Sequence, residues 1–115
     1  MKTGVEIIAE ERTRQITVKG WTPAHDDIHE KGQLALAGAA YALQASEHDE
    51  LYASIGRRPC EGLNAGWIGA ALLFWPWDRS CWKPDYEDRV KTLAKAGALI
   101  AAEIDRLQRA ATAAN

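Results

Sequence analysis

A chain of 115 residues, 47% hydrophobic and 26% charged, reads as one domain with enough apolar material for its own core. Its formal net charge of −2 argues against a general nucleic-acid or anionic-membrane binder. The longest apolar run, residues 67–77, is too short to span a bilayer and carries glycine and proline. Two cysteines without metal spacing, Cys60 and Cys81, and an N-terminus without signal-peptide character lead us to expect reduced thiols in a cytoplasm.

The first expected helix spans residues 3–19, with Thr3 as N-cap and Glu6 completing a capping box. Val5, Ile8, Arg12 and Ile16 share one stripe. Glu10-Glu11-Arg12-Thr13-Arg14-Gln15 is dense in ligand-capable groups, but Glu10 and Arg14 also have the spacing of an ordinary i,i+4 ion pair. Gly20 is placed to end this helix with positive φ, and Thr22-Pro23 reads as the cap and first residue of a second helix over 23–45.

His25, Asp26, Asp27 and His29 open that second helix. Two imidazoles one turn apart with adjacent carboxylates suit a divalent ion such as Mg²⁺ or Mn²⁺. The same residues also make a well-capped helix start, since carboxylates favour the positive end of the helix dipole. Lys31-Gly32 is a weak interruption, after which residues 33–45 are apolar almost all round, as in a helix buried at the centre of a bundle. Glu47-His48-Asp49-Glu50 reads as a solvated turn, and Gly56-Arg57-Arg58-Pro59 breaks any helix. A short buried helix is favoured over a strand for residues 64–74.

Residues 75–84 form an aromatic turn holding three of the five tryptophans, Trp75, Trp77 and Trp82. Such indoles either plug the end of a bundle or stack on a base, with Arg79 and Lys83 available to phosphate. The last helix is expected over 86–109, capped by Asp85, with Val90, Leu93, Ala96, Gly97, Ile100, Ile104 and Leu107 facing the core. Lys91, Lys95 and Arg106 would line the opposite side, and 111–115 fray as a tail. The expected fold is an all-α bundle of about four helices in a single domain over residues 1–110.

Several of these pieces occur together in a known module. Glu11-Arg12-x-Arg14-Gln15, Gly20-Trp21-Thr22-Pro23-x-His25-Asp26-Asp27-x-His29, Gly32-x-Leu34-Ala35 and Ala39-Ala40-Tyr41-Ala42 resemble a small module common in phage and prophage genomes. Trp75-Pro76-Trp77-Asp78, Trp82-Lys83-Pro84 and the run from Lys95 to Leu107 look like its second half. The module is similar to the N-terminal domain of phage dATP/dGTP diphosphohydrolases of the MazG-like kind, with 46–74 resembling an insertion. MazG-like enzymes hold magnesium with a Glu-x-x-Glu and a Glu-x-x-Asp pair. Here Glu47 and Glu50 are the only candidates for the first, and Glu103 and Asp105, two apart, do not make the second. The resemblance therefore implies a nucleotide context without the hydrolytic half.

Three functions follow as expectations. The first is a binding module, homo-oligomeric, that sequesters a purine or signalling nucleotide against a host defence. Its ligand residues would be Arg12, Arg14, Gln15, Trp21, His25, Asp26, Trp75, Trp77, Arg79, Trp82 and Lys83. The second is a metal-dependent nucleotide hydrolase, which needs Glu10, Glu11, Asp26 and Asp27 to converge in a cleft. The third is a protein that binds and inhibits a host defence protein through exposed tryptophans.

Overall fold

The computed structural model describes residues 1–46 and 67–114, except the side chains of 67–70. The expected features at Glu47, His48, Asp49, Glu50, Cys60 and residues 51–66 lie outside the described residues. The fold is all-α, with α1 (Gly4–Thr17), α2 (Pro23–Asp26), α3 (Gln33–Ser46), α4 (Trp67–Phe74) and α5 (Arg89–Ala113). A single 3-10 turn, Arg79–Cys81, lies between α4 and α5. No described helix is long and apolar enough to cross a membrane.

Local chemistry sets most of these boundaries. The Thr3 hydroxyl accepts from the Glu6 amide while the Glu6 carboxylate accepts from the Thr3 amide, the reciprocal capping box. Gly20 takes φ 74° after α1, a conformation that costs a residue without Cβ little. Thr22 caps α2 through the His25 amide, with Pro23 at the first helical position. The expected helix over 23–45 is instead two. After Asp26 the amides of Asp27, Ile28 and His29 bond to Pro23, His25 and Asp26, and Gly32 at φ 80° turns the chain before α3 begins.

The start of α5 also differs from expectation. Asp88, not Asp85, is its N-cap, accepting from the Lys91 amide. Asp85 caps the preceding turn through the amides of Glu87 and Asp88. The Thr92 hydroxyl ties that turn to α5 by accepting from the Asp85 amide and donating to its carbonyl.

Packing centres on α3 and α5, with α1 and α2 against α5 and α4 against α3. Leu34, Ala37, Ala40 and Tyr41 meet Ala96, Leu99 and Ala102, and Trp75 closes the cluster. The close approach has a visible cause: a Cβ on Gly38 would stand 3.0 Å from the Ala96 carbonyl oxygen and 3.0 Å from Ile100 Cγ1. Small residues thus let the two backbones meet, and dispersion contacts between them replace larger side chains.

The buried side of α1 is polar, and that of α5 differs in most positions from the expected one. In α1 the buried residues are Glu11 and Gln15, while Val5 is 79% exposed. Glu10 pairs with Lys2 and Arg14 with Glu11, so the Glu10–Arg14 pair is not formed. In α5 the chain buries Ala96, as expected, together with Thr92, Ala94, Ala98, Leu99, Ala102, Glu103 and Arg106. Val90, Leu93, Ile104 and Leu107 face outward, and Ile100, which borders Gly38 of α3, is still 44% exposed. Glu103 and Arg106 are tolerated inside because they hydrogen-bond each other one turn apart.

Candidate functional site

Two adjoining hollows open between α1, the α2 segment and the α4–α5 connection, and both are lined by Trp21 and Cys81. The first encloses about 360 Å³ and the second about 390 Å³. Each falls in the range of small-molecule sites, about 300–1,000 Å³.

The first hollow is aromatic. Trp21, Trp75 and Trp77 line it with His25, His29 and Leu34, and Asp26 and Asp78 border it. The rings support one another: His25 meets His29 edge to face at 5.3 Å, His29 lies tilted on Trp77 at 4.9 Å, and Trp77 meets Trp75 edge to face at 5.3 Å. Such tilted contacts match the quadrupoles of the rings and fix their orientation. Trp75 donates Nε1–H to the Asp78 carbonyl, whereas Trp77 Nε1 is buried and makes no hydrogen bond among the described residues. Burial, and then the neighbouring His25, push the His29 imidazole below its ordinary pKa, with Asp26 opposing. His29 is therefore a neutral ring near pH 7.

The second hollow is cationic. Lys19, Lys83, Lys91 and Lys95 line it with Arg14, against one carboxylate, Glu11. Glu11 is already held by Arg14 through two parallel hydrogen bonds of 2.6 and 2.7 Å. Lys95 Nζ donates to the Lys83 carbonyl at 2.6 Å and stands 5.9 Å from the centre of the Tyr41 ring. Burial lowers its pKa, with Glu11 opposing. Tyr41 OH accepts from the Lys83 amide, and burial raises the phenol's pKa. Beneath these groups lies Gln15, 2% exposed. Its Nε2 points to the Glu11 carboxylate at 3.4 Å, while Oε1 has no partner among the described residues. Positive charge gathered over a low-dielectric floor attracts anions more strongly than the same charges spread in water.

The structure brings together eight of the eleven expected ligand residues: Trp21, His25, Asp26, Trp75 and Trp77 in the first hollow, Arg14, Gln15 and Lys83 in the second with Trp21 again. Arg12, Arg79 and Trp82 line neither. Arg12 is committed to structure, donating to Asp26 Oδ2 at 2.8 Å and to the Trp21 carbonyl. Trp82 lies flat on Tyr41, ring centres 4.8 Å apart, with its N–H on the Tyr86 hydroxyl. Lys19, Lys91, Lys95 and Tyr41 were not anticipated as lining residues.

The four carboxylates of the hydrolase expectation do not converge. Glu10 pairs with Lys2, Glu11 with Arg14, Asp26 with Arg12 and Asp27 with Arg109 at 2.8 Å. His25, Asp26, Asp27 and His29 likewise form no metal cage: among the described residues no three His, Cys, Asp or Glu are grouped to hold an ion. The segment serves as a hub of ion pairs tying α1 and α5 to α2. Comparison with family models, curated proteins and solved structures finds no match to this chain.

Proposed function

We propose that this protein is a nucleotide-binding module, with the base in the aromatic hollow and the phosphates in the cationic one. The observation that carries the reading is that the two hollows adjoin across Trp21 and Cys81. An aromatic wall stacks any purine or pyrimidine, worth about 1–3 kcal/mol per base, and four lysines with one arginine meet the charge. The resemblance to a phage module points the same way, as does its implied role of withdrawing a signalling nucleotide from a host. Binding is favoured over hydrolysis because Glu10, Glu11, Asp26 and Asp27 are each paired with a cation, and among the described residues no group of acids is gathered to hold a metal.

The test is incubation with deoxynucleoside triphosphates, cyclic nucleotides and ADP-ribose, each with and without Mg²⁺ or Mn²⁺, followed by ultrafiltration and chromatography. The expected result is a nucleotide that leaves the filtrate and returns intact when the protein is denatured. Trp77→Ala and Lys83→Glu should each weaken retention at least tenfold, since a charge-assisted contact is worth about 1.5–3 kcal/mol. A new product would overturn binding in favour of hydrolysis. Nucleotides that all stay free and intact would overturn both.

A further inference from the structure

The two hollows that share Trp21 differ in sign. Among the described residues no lysine or arginine lines the aromatic one, and two carboxylates, Asp26 and Asp78, border it. Asp26 is 1% exposed. Its Oδ2 accepts from Arg12 at 2.8 Å, whereas its Oδ1 stands 3.9 Å from His25 Nδ1, too far for a hydrogen bond. Asp78 is exposed, and hydrogen bonds from Ser80 hold its carboxyl below the usual carboxylate range, so it is ionised near pH 7. His29 is neutral there and brings no opposing charge. In the adjoining hollow the sign reverses, with four lysines and Arg14 against Glu11. The site is thus polarised from end to end, negative beside the indoles and positive beside Tyr41.

We infer that the aromatic hollow takes a positively charged heteroaromatic ring, so that the ligand is a nucleotide with a cationic base and an anionic phosphate end. The inference rests on the reading of the two hollows as base and phosphate sites. A neutral base gains from stacking on the rings but nothing from the charge of the carboxylates. A ring with a fixed positive charge gains from both, because indole is the aromatic side chain that attracts cations most strongly, and a carboxylate set in a low-dielectric wall acts more strongly than in water. An inorganic ion fits poorly, since among the described residues no three His, Cys, Asp or Glu are grouped to hold one. A charge spread over a planar ring needs no such cage. The phosphate end is drawn to the lysines and repelled by Asp26 and Asp78, which fixes the direction of the ligand as well. Two kinds of nucleotide share this chemistry, those with an N-methylated purine and those with a pyridinium ring. Each has a neutral counterpart of nearly the same shape, so charge can be tested apart from stacking.

The experiment is equilibrium dialysis of the full chain against two matched pairs: 7-methylguanosine triphosphate with guanosine triphosphate, and nicotinamide mononucleotide with its reduced, dihydropyridine form. Within each pair the phosphates are the same and the ring charge differs. The expected result is that the cationic member of one pair is retained about tenfold more tightly than its neutral partner, the size of a desolvated cation–π contact. The pair that shows the preference identifies the ring. Asp78→Asn keeps a side-chain oxygen to cap the Arg79–Cys81 turn, and should reduce that preference about threefold, as for an exposed ion pair. Cationic and neutral members retained equally in both pairs overturn the inference and leave the nucleotide reading standing. So does retention of a nucleotide from the wider panel while all four of these stay free. A preference that Asp78→Asn leaves untouched also overturns it, because the carboxylates would then play no part in the choice.

Discussion

Replacing Arg12 with methionine tests the ion-pair hub most directly. Asp26 keeps only 2% of its side chain in contact with solvent and Arg12 13%, and their 2.8 Å contact joins α1 to the segment that shapes the aromatic hollow. In Arg12→Met the carboxylate faces only His25 Nδ1, at 3.9 Å, and the Trp21 carbonyl loses its donor as well. Removing one partner of a buried pair costs about 3–5 kcal/mol. We take ~3 kcal/mol, since Arg12 keeps some contact with water and the pair has a single short bond. At roughly 4 °C per kcal/mol for a domain of this size, the melting temperature should fall by ~12 °C. Urea unfolding followed by circular dichroism should show the midpoint falling with unchanged slope. Replacing both partners, Arg12→Met with Asp26→Leu, should return to within about 1 kcal/mol of the parent, because no charge is then stranded. An Arg12→Met loss below ~1 kcal/mol, or a double variant as unstable as the sum of its parts, would refute the claim that the pair is buried and mutually dependent.

Three further outcomes follow from the same geometry. His29 has a pKa held below the ordinary 6.5 by burial and by His25, so the unfolded chain takes up its proton first. Its contribution is therefore nil at alkaline pH and becomes destabilising as pH falls through 6.5 towards the lowered folded value; His29→Gln should lose less stability than the parent in melts from pH 8 to 5.5, and parallel curves would count against this. Gly97→Ala should destabilise by about 1 kcal/mol, the overpacking against Ile8 outweighing the ~1 kcal/mol gain in helix propensity; the added Ile8→Ala should remove the clash, so the two changes should be non-additive in chemical denaturation. Trp75→Phe should cost at least about 1 kcal/mol more than Trp77→Phe, because only Trp75 loses an indole hydrogen bond, to the Asp78 carbonyl; equal losses would mean that the bond to Asp78 contributes nothing.

What the sequence made legible was mostly local. Thr3 with Glu6, Gly20, and Thr22 with Pro23 act over three or four residues, and their geometry follows from side-chain type alone. Where two neighbours competed for one role, as Asp85 and Asp88 did at the start of α5, spacing could not choose between them. The side of α5 that faces inward was misread for a different reason. Periodicity picks out its large aliphatic residues, but it does not say which side of the helix the neighbouring helices cover. The inward face is built from alanine, threonine, a single leucine and the paired Glu103 and Arg106, and where α3 comes close the residues are small.

The candidate site divides in the same way. The Trp75-Pro76-Trp77-Asp78 turn and the Trp21–His29 segment could be singled out as functional from composition, and they meet in one hollow. The cationic hollow draws Lys19, Lys83, Lys91 and Lys95 from three separate regions. In the sequence they look like ordinary surface lysines, and a net charge of −2 conceals their convergence. Glu11 and Gln15 were visible as polar residues, but their burial depends on Arg14 folding back onto the carboxylate.

Trp21 has a consequence beyond its own contacts. As a wall common to two compartments, it sets the distance between whatever occupies them. Two weak ligands, one aromatic and one anionic, would each lose rotational and translational freedom separately on entering. A molecule that joins the two groups with a spacer of matching length loses that freedom once, and its second half binds at a high effective concentration. Selectivity then resides in the length of the linker as much as in either end. Inorganic phosphate and free nucleobase should bind feebly even together, while a nucleotide of the right span should bind far more tightly than the two affinities alone suggest.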